Sequence, residues 1–333
     1  MSTEKDGLLR VENLKKWFPV RTGFFAGLFS KEHIYAYAVD DITFNIRKGE
    51  ILCLAGESGC GKTTVGRTIL RLTEPTDGKV YFNGEDVFSA DKERMRKLRQ
   101  KMQMIFQDPY ESLNQRMTVF DIVAEPIKIH KLAKSSDDLQ NMVTEALEAA
   151  ELRPPSLFFD RFPHELSGGQ RQRVNIARAM ILDPEFVVAD EPVSMIDVSV
   201  RTGILNLMMD LRDKFGLSYL FITHDLAQAR YIADNIAIMY LGKIVGYSPI
   251  EKMVKSPLHP YSQALISNIP VPEPELKRDR ILITGEPPTP INPPSGCRFH
   301  PRCPKFIGDI CKNKEPIFKE VEKNHWVACH LYD

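Results

Sequence analysis

Apolar and polar positions change their spacing several times along this chain. Over residues 8–16 they alternate, with Leu9, Val11 and Leu14 set among polar neighbours, which predicts a short strand ended by Trp17-Phe18-Pro19. Residues 21–34, with Gly23 and Gly27 among Phe24, Phe25, Leu28 and Phe29, predict a loop carrying a small hydrophobic insertion. A second strand is expected over 38–46, closed by the Lys48-Gly49 turn, and a third over the apolar run 51–55. The pairs Asp77-Gly78 and Asn83-Gly84 bracket another strand at 79–82 in a tight antiparallel region. A basic helix follows over 92–101, then a strand over 102–106, and Pro109 is expected to stop any regular element.

From Thr118 to Asp183 the period lengthens to that of a helix. Leu139, Met142, Val143, Ala146, Leu147 and Ala150 fall on one helical face, so a helical insertion separates the strands. A helix is expected over 174–180. Apolar strand runs then return over 185–191, 218–223, 236–240 and 243–246. Strands alternating with helices in this way predict an α/β fold. Eight prolines between Pro270 and Pro294 disfavour helix there and predict an extended linker over 270–296.

Composition narrows the class of protein. With 333 residues, 43% hydrophobic and 26% charged, the chain can bury a core of one large domain with an appendage, or of two domains. Its 44 basic and 44 acidic residues cancel, which argues against a nucleic-acid partner held by bulk charge. No apolar run approaches the roughly 18 residues of a membrane span, and residues 1–10 are too charged for a signal peptide, so a cytoplasmic location is expected. Four of the six cysteines, Cys297, Cys303, Cys311 and Cys329, crowd the last stretch, which in a reducing compartment points to metal before disulfides.

The strongest chemical signal is Gly56-Glu57-Ser58-Gly59-Cys60-Gly61-Lys62-Thr63-Thr64, which matches G-x-x-x-x-G-K-[ST] between an apolar strand and a helix. Glycines let the backbone wrap tightly and point N–H groups at an anion, to which the helix start adds partial positive charge. Lys62 would reach the β- and γ-phosphates and Thr63 would hold Mg²⁺. A second glycine-rich helix start, Ser167-Gly168-Gly169-Gln170, offers similar donors, although a self-capped helix entry reads equally well from these residues. The buried strand at 185–191 delivers Asp190 and Glu191 to the sheet edge where ligands bind in α/β folds. There Asp190 suits Mg²⁺ and Glu191 can polarise an attacking water. Gln107 and His224 each end a strand; alone, Gln107 reads as a surface loop residue and His224 as a structural histidine, unless each faces the same phosphate. Phe18, and after it Tyr35, can stack on a base or simply pack in the core.

In their order and spacing, GESGCGKTT, the strand-ending Gln107, LSGGQ at 166–170, VVADE at 187–191, Ser194-Met195-Ile196-Asp197 and His224 resemble an ABC-transporter ATPase. MQMIFQDPYESLN at 102–114, LHPYSQAL at 258–265 and GCRFHPRCP at 296–304 resemble the ATPases of oligopeptide/dipeptide importers, and their F type more than their D type. The likeness runs from about residue 8 to the C-terminus.

It implies a P-loop ABC ATPase fold. A RecA-like core and antiparallel β subdomain would fill 1–117, a helical subdomain 118–183, the rest of the core 184–250, and a small C-terminal cysteine-rich domain 251–333. It implies a head-to-tail pair of ATPase subunits in which Ser167, Gly168, Gly169 and Gln170 complete the partner's ATP site and Asp197 aligns the dimer. Glu191 would then be the general base, His224 the γ-phosphate switch, and Gln107 the link between Mg²⁺ and the membrane partner. The remaining partners implied are two permeases and, indirectly, a solute-binding protein; the second ATPase would be a D-type subunit, with a second copy of this chain as the alternative, and the chain would sit at the cytoplasmic face of the membrane. The cargo would be oligopeptides or dipeptides, with nickel or oligosaccharides as alternatives. The four cysteines would hold a [4Fe-4S] cluster, with zinc as the alternative. Met195-Ile196 stands where such ATPases usually have Ala-Leu.

Overall fold

A computed structural model of the chain describes residues 7–20, 34–268 and 280–333. The hydrophobic insertion expected at 21–34 lies outside them apart from Ile34, as does the 269–279 part of the proline-rich stretch. The chain divides into two compact units, one of residues 1–47, 51–89 and 223–333, the other of 48–50 and 90–222.

The first unit opens with β1 (Leu9–Pro19) and β2 (Tyr35–Ile46), paired antiparallel from Leu9 opposite Ile46 to Pro19 opposite Tyr35. Trp17, Phe18 and Pro19 therefore continue the strand rather than end it. Proline is tolerated there because it closes the strand, where the missing N–H breaks no ladder beyond it. Next come β3 (Ile51–Ala55), buried along its length, α1 (Lys62–Ile69), β4 (Asp77–Phe82) and the two-residue β5 (Glu85–Asp86). A four-stranded sheet runs β2-β1-β4-β5. Its inward side is the alternating set Leu9, Val11 and Leu14 that the sequence pattern marks, all three fully buried.

The second unit carries α2 (Lys92–Lys101), β6 (Met102–Ile105), α3 (Pro109–Ser112), α4 (Val119–His130), α5 (Ser136–Ala149), α6 (Gly168–Met180), β7 (Phe186–Asp190), α7 (Val198–Phe215) and β8 (Ser218–Thr223). Pro109 begins a helix instead of stopping one. At the first helical position its absent N–H has no bond to lose, and Asp108 caps the turn by accepting from the Tyr110 amide at 2.7 Å. α6 likewise begins at Gly168, six residues before the expected start, so both glycines lie inside the helix. β6, β7 and β8 pair in parallel, and β7 and β8 are buried at every residue. That accounts for their unbroken apolar runs, since a parallel strand covered on both faces has no polar side.

The helical insertion has its own core, in which Val119, Ile122, Val123 and Ile127 of α4 meet Val143 and Leu147 of α5 and Val174 and Ala177 of α6. Each such side chain contributes about 1.5–3 kcal/mol on burial. Trimming Leu147 to Ala would cost about 2–5 kcal/mol.

The chain then returns to the first unit with α8 (Leu226–Ile232), β9 (Asn235–Tyr240), β10 (Lys243–Pro249), α9 (Ile250–Lys255), α10 (Pro260–Ser267), α11 (Asp309–Asn313), β11 (Phe318–Glu322) and β12 (His325–Ala328). β3 pairs in parallel with β9, and antiparallel pairing then runs from β9 through β10 and β12 to β11. The cysteine-bearing segment thus adds strands to the sheet that holds β3 and belongs to the first unit, not to a compact unit of its own.

Candidate active site

Within the first unit, the glycine-rich loop turns from β3 into α1 under close steric constraint. A Cβ on Gly56 would stand 2.2 Å from the Met239 carbonyl oxygen. One on Gly61, whose φ is +107°, would stand 1.9 Å from that of Ala38. Only glycine fits either place. Gly61 is the N-cap of α1, and no side chain caps the helix among the described residues. Its first-turn amides therefore have no side-chain acceptor among the described residues, as a loop that receives an anion would require.

Lys62 is only 5% exposed, and its ammonium donates to the carbonyls of Gly56 at 2.8 Å and Glu57 at 3.1 Å. Those two bonds hold the cation in the bowl of the loop. The Glu57 amide donates to the Tyr261 hydroxyl at 2.9 Å, and burial pushes that phenol well above its ordinary pKa, so it stays neutral. Ser58 and Gly59 fill the tip of the loop, Cys60 is buried beneath it, and Thr63 and Thr64 lie in the first turn of α1.

On β1, Phe18 is 40% exposed, whereas Tyr35 packs on Trp17 with ring centroids 6.2 Å apart. Phe18 is the more exposed of the two rings, although the Lys16 ammonium lies 4.7 Å from its centroid. His224 follows β8 at an exposed position in this unit, just before Asp225, which caps α8 through the Ala227 amide at 2.9 Å.

In the second unit, β7 ends on Asp190, buried to 2%, and the chain turns sharply at Glu191, whose φ is +45°. A non-glycine residue in that region is strained, and such strain gathers at functional sites. The Glu191 amide is tied to the Ile222 carbonyl at 2.9 Å. Its carboxylate accepts from the Gln107 amide nitrogen at 3.1 Å. The structure thus brings together two residues that the sequence separates by more than eighty positions. Gln107 spends its nitrogen on Glu191, which leaves the amide oxygen as its acceptor for a cation.

Ser167 caps α6. Its hydroxyl accepts from the Gln170 amide at 3.3 Å, while the Gln170 side-chain oxygen accepts from the Ser167 amide at 3.0 Å. This is a capping box. Gly169 is needed for packing, since a Cβ would meet Val200 of α7 at 2.6 Å, whereas one on Gly168 would make only an ordinary contact with the Met195 carbonyl oxygen at 3.9 Å. Asp197 is exposed at the start of α7; Met195 beside it is 54% exposed and Ile196 is buried.

The four C-terminal cysteines are all free thiols. Burial pushes the pKa of Cys297 up to about 12, against the bond from the Phe299 amide, which lowers it. The amides of Lys305 and Leu331 bond in the same way to Cys303 and Cys329. Among the described residues, however, no group of three or more His, Cys, Asp or Glu is drawn together so as to hold a metal ion. The expected four-thiolate site is therefore not closed.

The sequence pattern missed Tyr261, which braces the loop, and Arg302, whose fork grips the Glu57 carboxylate. The available signals were weak: a tyrosine in LHPYSQAL and one arginine among the cysteines.

A glycine-wrapped lysine loop between a buried parallel strand and a helix start, in a chain that also carries a strand ending on paired carboxylates, defines a P-loop ATPase of the ABC type. The ABC transporter family model matches residues 39–194, and the model of the oligopeptide/dipeptide transporter C-terminal region matches 245–311. The chain is 46% identical to the oligopeptide transport ATP-binding protein AppF of Bacillus subtilis, over 99% of each chain. It is 44% identical to the dipeptide transport ATP-binding protein DppF of Haemophilus influenzae, over 99% of this chain and 98% of that one. Among solved structures, the ATP-binding cassette MJ0796, a dimer with ADP and Pi, superposes with a TM-score of 0.63 at 29% identity. That match covers 73% of this chain and 98% of the cassette. The chain belongs to the family of ATP-binding subunits of oligopeptide/dipeptide ABC transporters.

Proposed function

We propose that this chain binds MgATP on the 56–64 loop and hydrolyses it to drive uptake of oligopeptides or dipeptides through a membrane partner. The observation that carries this reading is the lysine loop, whose glycines at 56 and 61 no other residue can replace and whose Lys62 is held inward. In this reading Lys62 meets the β- and γ-phosphates, and Phe18 stacks on the adenine. Thr63, Asp190 and Gln107 hold Mg²⁺, which supplies charge neutralisation at the phosphates. Glu191 orients and deprotonates the attacking water, and the Gln107 amide keeps its carboxylate in place. His224 contacts the γ-phosphate. Ser167, Gly168, Gly169 and Gln170 serve the site of a second ATPase subunit, aligned by Asp197. Residues 118–183 act as the helical subdomain, between core segments 1–117 and 184–250, with 251–333 as the C-terminal extension.

The partners are two permeases and a second ATPase of the same family, with a solute-binding protein engaged indirectly, and the chain sits peripherally at the cytoplasmic face of the membrane. Among the described residues no helix is long and apolar enough to cross a membrane, so attachment would come through the permeases. Peptide cargo is supported by the names of the relatives and by the match over 245–311. The four cysteines are read as ligands of a [4Fe-4S] cluster, with zinc as the alternative, a reading that rests on four soft thiol donors in one short segment and requires them to close together as the metal binds. Iron, sulfide and zinc assays on anaerobically purified protein test that part, and protein holding neither metal refutes it.

The experiment for the whole reading is to purify the tagged chain from detergent-solubilised membranes of its host and identify what accompanies it. Two permeases and a second ATPase are expected. Recovery from the soluble fraction alone, with ribosomal or repair proteins, would contradict it.

A further inference from the structure

Glu57, second residue of the phosphate loop, is gripped from the far end of the chain. Arg302 lies in a short helical turn, His300–Arg302, between Cys297 and Cys303, and is 9% exposed. Its guanidinium donates to both oxygens of the Glu57 carboxylate, at 2.8 and 3.3 Å. Arg302 also donates to the Tyr240 hydroxyl at 3.4 Å and to the Gly285 carbonyl at 3.2 Å. Phe299, three residues earlier, wedges its ring against Tyr240 and Tyr261 with centroids 5.1 and 5.3 Å away. Tyr261 is the residue whose hydroxyl receives the Glu57 amide. Both the backbone and the side chain of Glu57 are therefore fixed by one aromatic and guanidinium cluster, and the Glu57 carbonyl in turn receives Lys62. All of these contacts lie within the first unit.

We propose that Arg302 is a positioning residue for the phosphate loop, through which the cysteine-bearing segment sets how tightly the chain holds a nucleoside triphosphate. A bidentate guanidinium–carboxylate pair fixes direction as well as distance, which a lysine cannot reproduce. Glu57 is one residue from Gly56 and shares Lys62 with it, so freeing its side chain lets the loop sample shapes in which the Lys62 cation and the α1 amides no longer converge. Affinity then falls by the fraction of time the competent shape is lost. Chemistry at Glu191 is untouched, because the pair acts before the bond is broken. Coupling of this kind is reciprocal: nucleotide on the loop must steady the segment at 297–303 by the same free energy.

The inference rests on the reading of 56–64 as the nucleotide loop, and the test separates the two. Steady-state ATP hydrolysis, ADP calorimetry and nucleotide-free thermal unfolding are measured on the full chain and on Arg302→Met, Arg302→Lys and Lys62→Ala. In Arg302→Met, KM for ATP and Kd for ADP should rise about tenfold with kcat changed less than about twofold. Arg302→Lys should fall between it and the parent, and the nucleotide-free unfolding midpoint should drop in Arg302→Met, where the Glu57 carboxylate loses its partner, while kcat holds. Hydrogen exchange should show the amides at 297–303 slowed by ADP in the parent but not in Arg302→Met. Parent-like KM and exchange in Arg302→Met would overturn the inference, as would equal loss of KM, kcat and unfolding midpoint in both Arg302 variants, which marks a merely structural contact. If Lys62→Ala binds ADP like the parent, the loop reading itself fails; if it loses ADP while Arg302→Met does not, only the present inference fails.

Discussion

The glycine-rich starts of α1 and α6 treat their first-turn amides in opposite ways. α1 follows Gly61, a left-handed N-cap with no side-chain cap, so its first-turn amides stay open beside Lys62. α6 begins after Ser167 and satisfies its own amides through the reciprocal bonds of Ser167 and Gln170. Glycine-rich starts thus leave one helix uncapped, open to an anion, and give the other a self-sufficient cap. A γ-phosphate reaching α6 must compete with the Ser167 hydroxyl for the Gln170 amide, which suits a contact made and broken in each cycle rather than one held throughout.

This contrast can be broken from either side. The largest effect is expected from Gly61→Ala: a Cβ 1.9 Å from a carbonyl oxygen, at φ +107°, should cost about 3–5 kcal/mol by denaturant unfolding. Lys62→Ala should leave the fold intact and lower kcat/KM for ATP by about 10²-fold or more. Ser167→Ala should cost only about 1 kcal/mol of stability as a lost cap, measured by thermal unfolding. Ser167→Asp sharpens the comparison, since aspartate caps as well as serine but repels a phosphate; its stability should match the parent while ATP turnover is lost. Retained turnover in that variant would mean that the second helix start is a cap and nothing more.

The smallest effect concerns the brace behind the cradle. His259 caps α10 by accepting from the Tyr261 amide at 3.0 Å, and burial pushes its pKa down to about 3 from 6.5. The unfolded chain takes up that proton first as pH falls, so this stability is complete above about pH 6.5 and declines below it, down to about 3. The loss should be about 0.7 kcal/mol between pH 7 and pH 6 by chemical denaturation, and smaller in His259→Asn.

Much of the fold was legible because burial leaves a simple pattern. The basic helix at 92–101 and the strand at 218–223 appear with the limits expected, since a capping Asp91 marks one and six consecutive buried residues mark the other. The lysine loop was legible for a different reason, because its glycines answer steric demands that no other residue meets. What stayed hidden depends on partners distant in sequence. Trp17 and Phe18 extend β1 because β2 is there to pair with them, and Pro109 opens a helix because Asp108 turns to cap it. The Gln107–Glu191 and Glu57–Arg302 contacts join residues with no shared periodicity, so only the folded chain brings them into view.

The most direct test of the account is ATP turnover beside ATP binding in Glu191→Gln. The variant should bind ATP with parent-like affinity and associate into dimers in its presence, with kcat lowered about 10²-fold or more, because the amide keeps the shape of the turn but cannot take the proton. Turnover within a few-fold of the parent would contradict the assignment of Glu191 as the base, and with it the reading of β7 as the strand that delivers the catalytic carboxylate.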